Sequence, residues 1–541
     1  MQLPNNVLGG DLFWWRESKD LHTLITIFGD IAATNHIDPS EMGHVTLLFA
    51  LHDTSGQLIS TWERPVTGEQ TIFLDSRSQK ELAQLSEGVL AVFALADSPA
   101  LSQLKRKYNR LFSLVDWYSD EGDIVSFHND QSFHEKTSTP IKFTEIVFLE
   151  SEANHNFLVV MNGPEAQAAG SIQLTVKNHS GQTREALYQP AMPPFSIHKL
   201  ELGRLFPDLA SWSEAQHLTL AGQFDCKGLF VRPYVFTTGR RLSGYHGGNL
   251  YEWQALPRHL HKYLGRGEVN PMVALQNDHL STTVNLLNTH GDLEEDFWVD
   301  AKLYDESGSL IANRDRWLLA RRHQLTRGHI ADLLNDSQSS FTGHIALNFS
   351  ADERTFYPRR LQALLEYRTQ ESTARVMAWS DIWNAQEHLR TLSDSIASEF
   401  RPVFLGGNVL SPPGVVYRSY YRVWNKAPLL SYLAITNCGI TPGYDKTVKY
   451  RVLLENGRGD SLRYEGSVGP QATDYGPIDF FFPSIEAFLG DQSVGMALVE
   501  SESDLAIMHL THHQVSGAYS AEHFMDAGSR FEGTYYPSCG S

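Results

Sequence analysis

Four stretches of the chain share one rhythm of apolar and polar positions. They are "VTLLFALHDTSGQLIS", "IQLTVKNHSGQTREA", "WVDAKLYDESGSLIA" and "YRVLLENGRGDSLRY". In each, an alternating run meets Asp or Asn (Glu-Asn in the last), a small polar residue and glycine, and alternation resumes beyond. Period-two alternation marks a strand with one buried face. Asn, Asp and Gly accept the positive φ that tight hairpin turns require. Each stretch therefore predicts a β-hairpin, with turn glycines Gly56, Gly181, Gly308 and, in the looser fourth copy, Gly457 or Gly459.

The hairpins are embedded in a longer recurring order. Upstream of each lies a β-like run: "LITIFGD", "NFLVVMNGP", "TTVNLLNTHG" and "SYLAITNCG". Downstream come "TIFLDSRSQKELAQL", "IHKLELGRLFPDL", "RGHIADLLND" and "IDFFFPSIEAFLGD", and then strands such as "GVLAVFALAD", "GHIALNFSAD" and "GMALVESESD". "LTLAGQFDCKG" fits this last place less well. Several elements recurring in one order indicate an internal repeat. The predicted fold is all-β: four tandem antiparallel β-sandwich modules of immunoglobulin-like size with a few short connecting helices. The expected modules are residues 1–126, 127–246, 247–404 and 405–541.

"LGGDLFWW", "HGGNLYEW" and "LGGNVL" stand before the first, third and fourth units. Gly-Gly followed by Asp or Asn is expected to turn the chain at a module junction, as punctuation rather than chemistry. Helical spacing occurs in "SPALSQLKRKYNRLF" and in "EHLRTLSDSIASEF", and "PRHLHKYLGRG" opens like a short helix at Pro257.

The chain has 541 residues, 42% hydrophobic and 20% charged, as expected of a folded multidomain protein. Its formal charge of -19 argues against nucleic acid and anionic membrane as partners. The three cysteines, Cys226, Cys438 and Cys539, form neither a disulfide framework nor a cysteine zinc motif. The first twenty residues lack the basic and apolar regions of a signal peptide, and no apolar run is long enough for a membrane span. These observations predict a cytoplasmic protein.

Each unit ends near an aromatic followed by small polar residues: "DWYSDEG", "GYHGG", "AWSDIW" and "AYSAEHF". If these ends converge, His128, His246, Asp381, Glu522 and His523 offer imidazole and carboxylate ligands for a divalent metal. The competing expectation is that the aromatics close each sandwich and the polar residues cap strand ends. In "HLTHHQVSGAYSAEHF", alternation puts His509 and His513 on one face and His512 on the other. A solvated strand edge accounts for them as well as a ligand pair does. His259 and His261 share a face only if extended. His52 and His179, in or beside hairpin turns, are expected to be solvated. "DLEEDFWVD" lacks calcium-loop spacing and reads as a solvated edge that discourages sheet association.

Serine-hydrolase, P-loop and dinucleotide-binding signatures are absent, and no catalytic set emerges. Aromatics make up 11% of the chain, with pairs at Trp14–Trp15, Tyr420–Tyr421 and Tyr535–Tyr536. They suit cores and seams, or a protein or carbohydrate surface. The leading expectation is a non-catalytic scaffold or binding protein. The alternative is a metal-dependent enzyme with its site where the modules meet.

Overall fold

The computed structural model describes residues 6–29, 44–66, 70–79, 85–96, 111, 113–129, 131–133, 141–249, 270–288, 296–335, 340–350, 363–378, 415–439, 443–503, 505–523, 525–526, 530–531 and 534–535. The chain forms two units. One comprises Met1–Leu250, Asn456–Asp460 and His513–Ser520; the other comprises Tyr251–Glu455, Ser461–His512 and Ala521–Ser541.

The first unit opens with β1 (Val7–Arg16), β2 (His22–Ile27), β3 (Val45–Asp53), β4 (Leu58–Val66), β5 (Ile72–Asp75), β6 (Glu87–Ala96), β7 (Ser113–Tyr118) and β8 (Ile124–His128). They pair as β1-β6-β3-β4 and β5-β2-β7-β8. Next come β9 (Gln131–Phe133), β10 (Ile141–Phe148), β11 (His155–Met161), β12 (Ile172–Lys177), β13 (Thr183–Tyr188) and β14 (Ile197–Glu201). The unit continues with β15 (Leu218–Phe224), β16 (Leu229–Val231), β17 (Tyr234–Thr238), β18 (Ser243–His246) and β19 (Gly248–Asn249). The orders β10-β15-β12-β13 and β14-β11-β17-β18 repeat those of β1 to β8. The short β9 adds to β1 and β19 to β10.

The second unit starts with β20 (Asn270–Gln276), β21 (Ser281–Asn288), β22 (Phe297–Asp305), β23 (Leu310–Ala320), β24 (Gln324–His329), β25 (Phe341–Phe349), β26 (Ala363–Arg368) and β27 (Thr373–Ala378). Its sheets are β20-β25-β22-β23 and β24-β21-β26-β27. The last set is β28 (Val415–Lys426), β29 (Leu429–Thr436), β30 (Val448–Glu455), β31 (Ser461–Val468), β32 (Thr473–Pro477), β33 (Val494–Ser501), β34 (Ala506–His513) and β35 (Ala518–His523). Here β28-β33-β30-β31 and β32-β29-β34-β35 again follow the same order. The eight-strand order thus recurs four times. "LTLAGQF" is β15, the sixth strand of its set, and so fits the repeat as well as its counterparts do.

Position in the sheet explains the patterning. β6, paired on both sides, carries a nearly continuous buried apolar run, whereas β4 at the edge alternates exposed and half-buried residues. Among the described residues, no helix is long and apolar enough to cross a membrane.

The four predicted turns join the third and fourth strands of each set. Gly56, Gly181, Gly308 and Gly459 all have positive φ, between 78° and 92°, so Gly459 rather than Gly457 is the fourth turn glycine. The residue three positions earlier holds each turn with its side chain. Asp53, Asn178, Asp305 and Asn456 each accept two backbone N–H bonds at Oδ1, at 2.9–3.1 Å. The carbonyl after that residue also serves as an acceptor. Thr54 accepts the Ile197 N–H at 3.2 Å, and Glu306 accepts the Thr473 N–H at 3.1 Å. Gly457 accepts the Gln70 amide at 2.5 Å. Turns and receiving loops are therefore built alike.

Several expectations change. Gly9 and Gly10 lie inside β1 rather than at a turn, and Gly10 leaves room for the Phe93 ring on β6. Gly247 carries the chain from β18 to β19, which lie in opposite sheets of one set. Its amide donates to the Pro233 carbonyl. The described end of the acidic run, Asp296–Asp300, leads into no edge strand: β22 pairs with both β25 and β23, and buried Asp300 accepts the Arg316 N–H at 2.7 Å. The expected helices at 98–112, 257–267 and 387–400, and the Gly-Gly at 406–407, lie outside the described residues, save Leu111.

Candidate metal centre

Two of the three aromatic pairs are core, and Tyr536 of the third lies outside the described residues. Trp14, Trp15, Tyr420 and Tyr421 are buried. In the first unit, Trp14, Trp117 and Phe127 from β1, β7 and β8 meet Phe157, Tyr234 and Phe236 from β11 and β17. Ring centroids lie 4.9 Å apart for Trp14–Phe236, 5.1 Å for Trp117–Phe236 and 4.8 Å for Phe127–Tyr234. This seam excludes water at the end of β8. Trp117 belongs to the seventh strand, so the first set closes one strand later than "DWYSDEG" suggested, at His128.

His128 ends β8 and His246 ends β18, the eighth strands of their sets. Both side chains are about 1% exposed, and their rings meet edge to face with centroids 4.2 Å apart. The Phe127 ring stands 6.1 Å from His246. His246 Nδ1 lies 3.0 Å from the Gly247 carbonyl oxygen. A carbonyl only accepts, so His246 Nδ1–H is the donor of this bond. The hairpins preceding these histidines are tied by Asp123, whose Oδ1 accepts the Leu242 N–H at 2.7 Å.

A third hairpin in this unit, residues 513–520, aligns with 119–126 in a parallel register. His513 Nε2–H donates to the Ser119 carbonyl at 3.0 Å, and the Ser516 hydroxyl to the Gly122 carbonyl at 2.9 Å. Ser520 Oγ accepts the Ser126 N–H at 2.8 Å and donates to the Ser126 carbonyl at 3.2 Å. All these pairs are 394 residues apart in sequence. Burial holds His513 below the ordinary histidine value, and its neutral ring accepts the Ser516 N–H at Nδ1, at 3.4 Å. Gly122, with φ of 138°, has no room for a Cβ beside Ser516.

Glu522 and His523 follow on β35 and are described here within the second unit. The Glu522 carboxylate is buried and accepts the His523 N–H at 2.8 Å, and its Oε1 lies 3.4 Å from His523 Nε2. The His523 side chain is 32% exposed. Asp381 lies outside the described residues, as do His259 and His261.

His509 and His513 are buried and His512 half-buried, as alternation requires, yet this strand is no solvated edge, because β34 runs between β29 and β35. His509 shares a bond with the Ser431 hydroxyl at 2.7 Å and packs on Tyr421. His52, expected to be wet, is 1% exposed: it stacks on Phe195 at 4.3 Å and donates from Nδ1 to the Gly56 carbonyl. His179 is exposed. The serine–histidine alignments were not visible in the sequence, where only the shared hairpin lengths hint at them.

No known family matches the chain, and no curated protein does. Among solved structures it aligns with the crystal structure of a tetra-tandem repeat in the extending region of a large adhesion protein. That alignment has 9% identity, covers 97% of this chain and 100% of the other, and has a TM-score of 0.10. At that score the likeness carries no argument about function.

Proposed function

We propose that this is a non-catalytic repeat scaffold in which the buried His128 and His246, at the eighth-strand ends of the first unit, bind one divalent transition metal. The observation that carries the proposal is the buried His128–His246 pair, whose ring centroids lie 4.2 Å apart.

Imidazole nitrogens suit Zn²⁺, at roughly 2.0–2.1 Å from each. The four modules are proposed to follow the recurring strand order, with the first boundary after His128 because β8 runs through residue 126.

The test is metal analysis of protein purified without a histidine tag. About one equivalent of zinc or a similar ion per chain is expected, and none in His246→Ala. Metal-free wild type, prepared and assayed in zinc-supplemented buffer, would overturn the proposal.

A further inference from the structure

We infer that the docking of the first turn, Asp53–Gln57, on the loop before β14 is an acid-sensitive joint with His52 as its latch. His52 stands directly before the turn and is buried. Its Nδ1–H donates to the Gly56 carbonyl at 3.1 Å, and its ring stacks on Phe195 with centroids 4.3 Å apart. Phe195 takes a left-handed φ of 56°, which an aromatic residue rarely adopts, and its ring also meets Phe93 edge to face. Two residues on, the Ile197 N–H donates to the Thr54 carbonyl. Among the described residues, His52 Nε2 is buried without a hydrogen-bond partner. A neutral ring leaves only a bare lone pair there. Protonation puts an N–H and a charge in that position with no acceptor to receive them. The counterparts of His52 before the other three turns are Lys177, Tyr304 and Glu455, so only the first turn carries a side chain that ordinarily titrates near neutral pH.

The charged surroundings decide the direction. Burial disfavours the charged ring most, the Gly56 carbonyl and Asp53 favour it, the amino-terminal charge disfavours it, and the balance holds His52 below the ordinary histidine value. On β6, Glu87 is already engaged by Arg16 and Lys199. On β14, burial lowers His198 as well, but its ring nitrogens lie 2.9 Å from the Tyr188 and Ser196 hydroxyls. Hydroxyls accept as well as donate, so His198 titrates without losing its partners.

Undocked, His52 takes up its proton near the ordinary value of about 6.5; docked, it does so only at lower pH. The docked joint therefore binds fewer protons and weakens as pH falls through about 6.5, by up to tenfold per pH unit, until the lowered value is reached. Hydrogen exchange at the Ile197 amide of the full chain reads this opening. The Thr473 amide, bonded in the same way to Glu306, is the reference for a joint without the latch, and the adjacent His344, lowered to about 3, stays neutral throughout. From about pH 7.5 to 5.5, protection of Ile197 should fall about tenfold relative to Thr473. His52→Phe keeps the ring stack and cannot titrate, so the fall should vanish in it. Nitrogen-15 NMR of the His52 ring needs no variant and should give a titration midpoint below about 6.5. Equal pH dependence at Ile197 and Thr473, a fall that persists in His52→Phe, or a His52 midpoint at or above the ordinary value would each overturn the inference.

Discussion

Replacing turn glycines separates backbone strain from docking. Gly56 and Gly459 have φ of 92° and 87°, so alanine meets the same left-handed penalty at both, about 1–2 kcal/mol. Their surroundings differ. A Cβ on Gly459 has nothing within 4 Å, whereas one on Gly56 would overlap the Pro194 carbonyl oxygen. Relieving that overlap moves the turn away from its receiving loop. The Ile197–Thr54 backbone bond, worth about 1 kcal/mol, and the His52–Phe195 stack, worth about another, are then lost. Gly56→Ala should therefore cost about 3–4 kcal/mol and Gly459→Ala about 1–2. Urea unfolding followed by tryptophan fluorescence gives the two losses. Hydrogen exchange at the Ile197 amide shows whether the docking bond is the one that opens. Equal losses for the two variants, or unchanged Ile197 protection in Gly56→Ala, would refute the reasoning.

Other consequences follow from buried charge and buried histidine. Glu500 sits between Arg418 and Arg451, 4% exposed on its side chain, and Glu500→Ala removes the carboxylate that pairs with the buried Arg418 guanidinium. Chemical denaturation should show a loss of about 3–5 kcal/mol. Burial lowers His344 to about 3 and holds His509 well below the ordinary value. The unfolded chain binds protons below about pH 6.5 while these rings stay neutral, so stability should fall by up to about 1.4 kcal/mol per pH unit for each. For His344 the fall should level off near pH 3; a His344→Phe variant with an equally steep melting profile against pH would contradict this. At the first turn, burial tends to raise Asp53, but bonds from the Ser55 hydroxyl and the Gln57, Ser55 and Gly56 amides outweigh it and lower the carboxyl. Its contribution is present above the ordinary carboxylate range and fades as pH falls through the lowered value. Asp53→Asn should flatten that acid limb slightly, given the group's exposure. His179→Ala should leave zinc content and melting temperature unchanged.

What the sequence disclosed depends on how local the chemistry is. A hairpin turn is written in four or five consecutive residues, so Asp53 to Gln57 and its three counterparts were legible outright. The eighth-strand histidines were legible only as a pattern of chain ends. The aromatic cue misplaced the first end by one strand, because Trp117 serves the core seam from β7. His52 looked solvated beside its turn, yet Phe195, far along the chain, covers it. Asp300 looked like part of an acidic edge, because alternation cannot tell an edge strand from one paired on both sides. The register of 513–520 on 119–126 rests on single hydroxyls and one imidazole, and such side-chain-to-backbone bonds leave no periodic trace.

The most direct measurement is anomalous diffraction at the zinc edge from crystals of untagged protein. The account predicts a single strong peak about 2.0–2.1 Å from His246 Nε2 and from a ring nitrogen of His128. A peak elsewhere, or none at that nitrogen in protein grown with zinc, would contradict it.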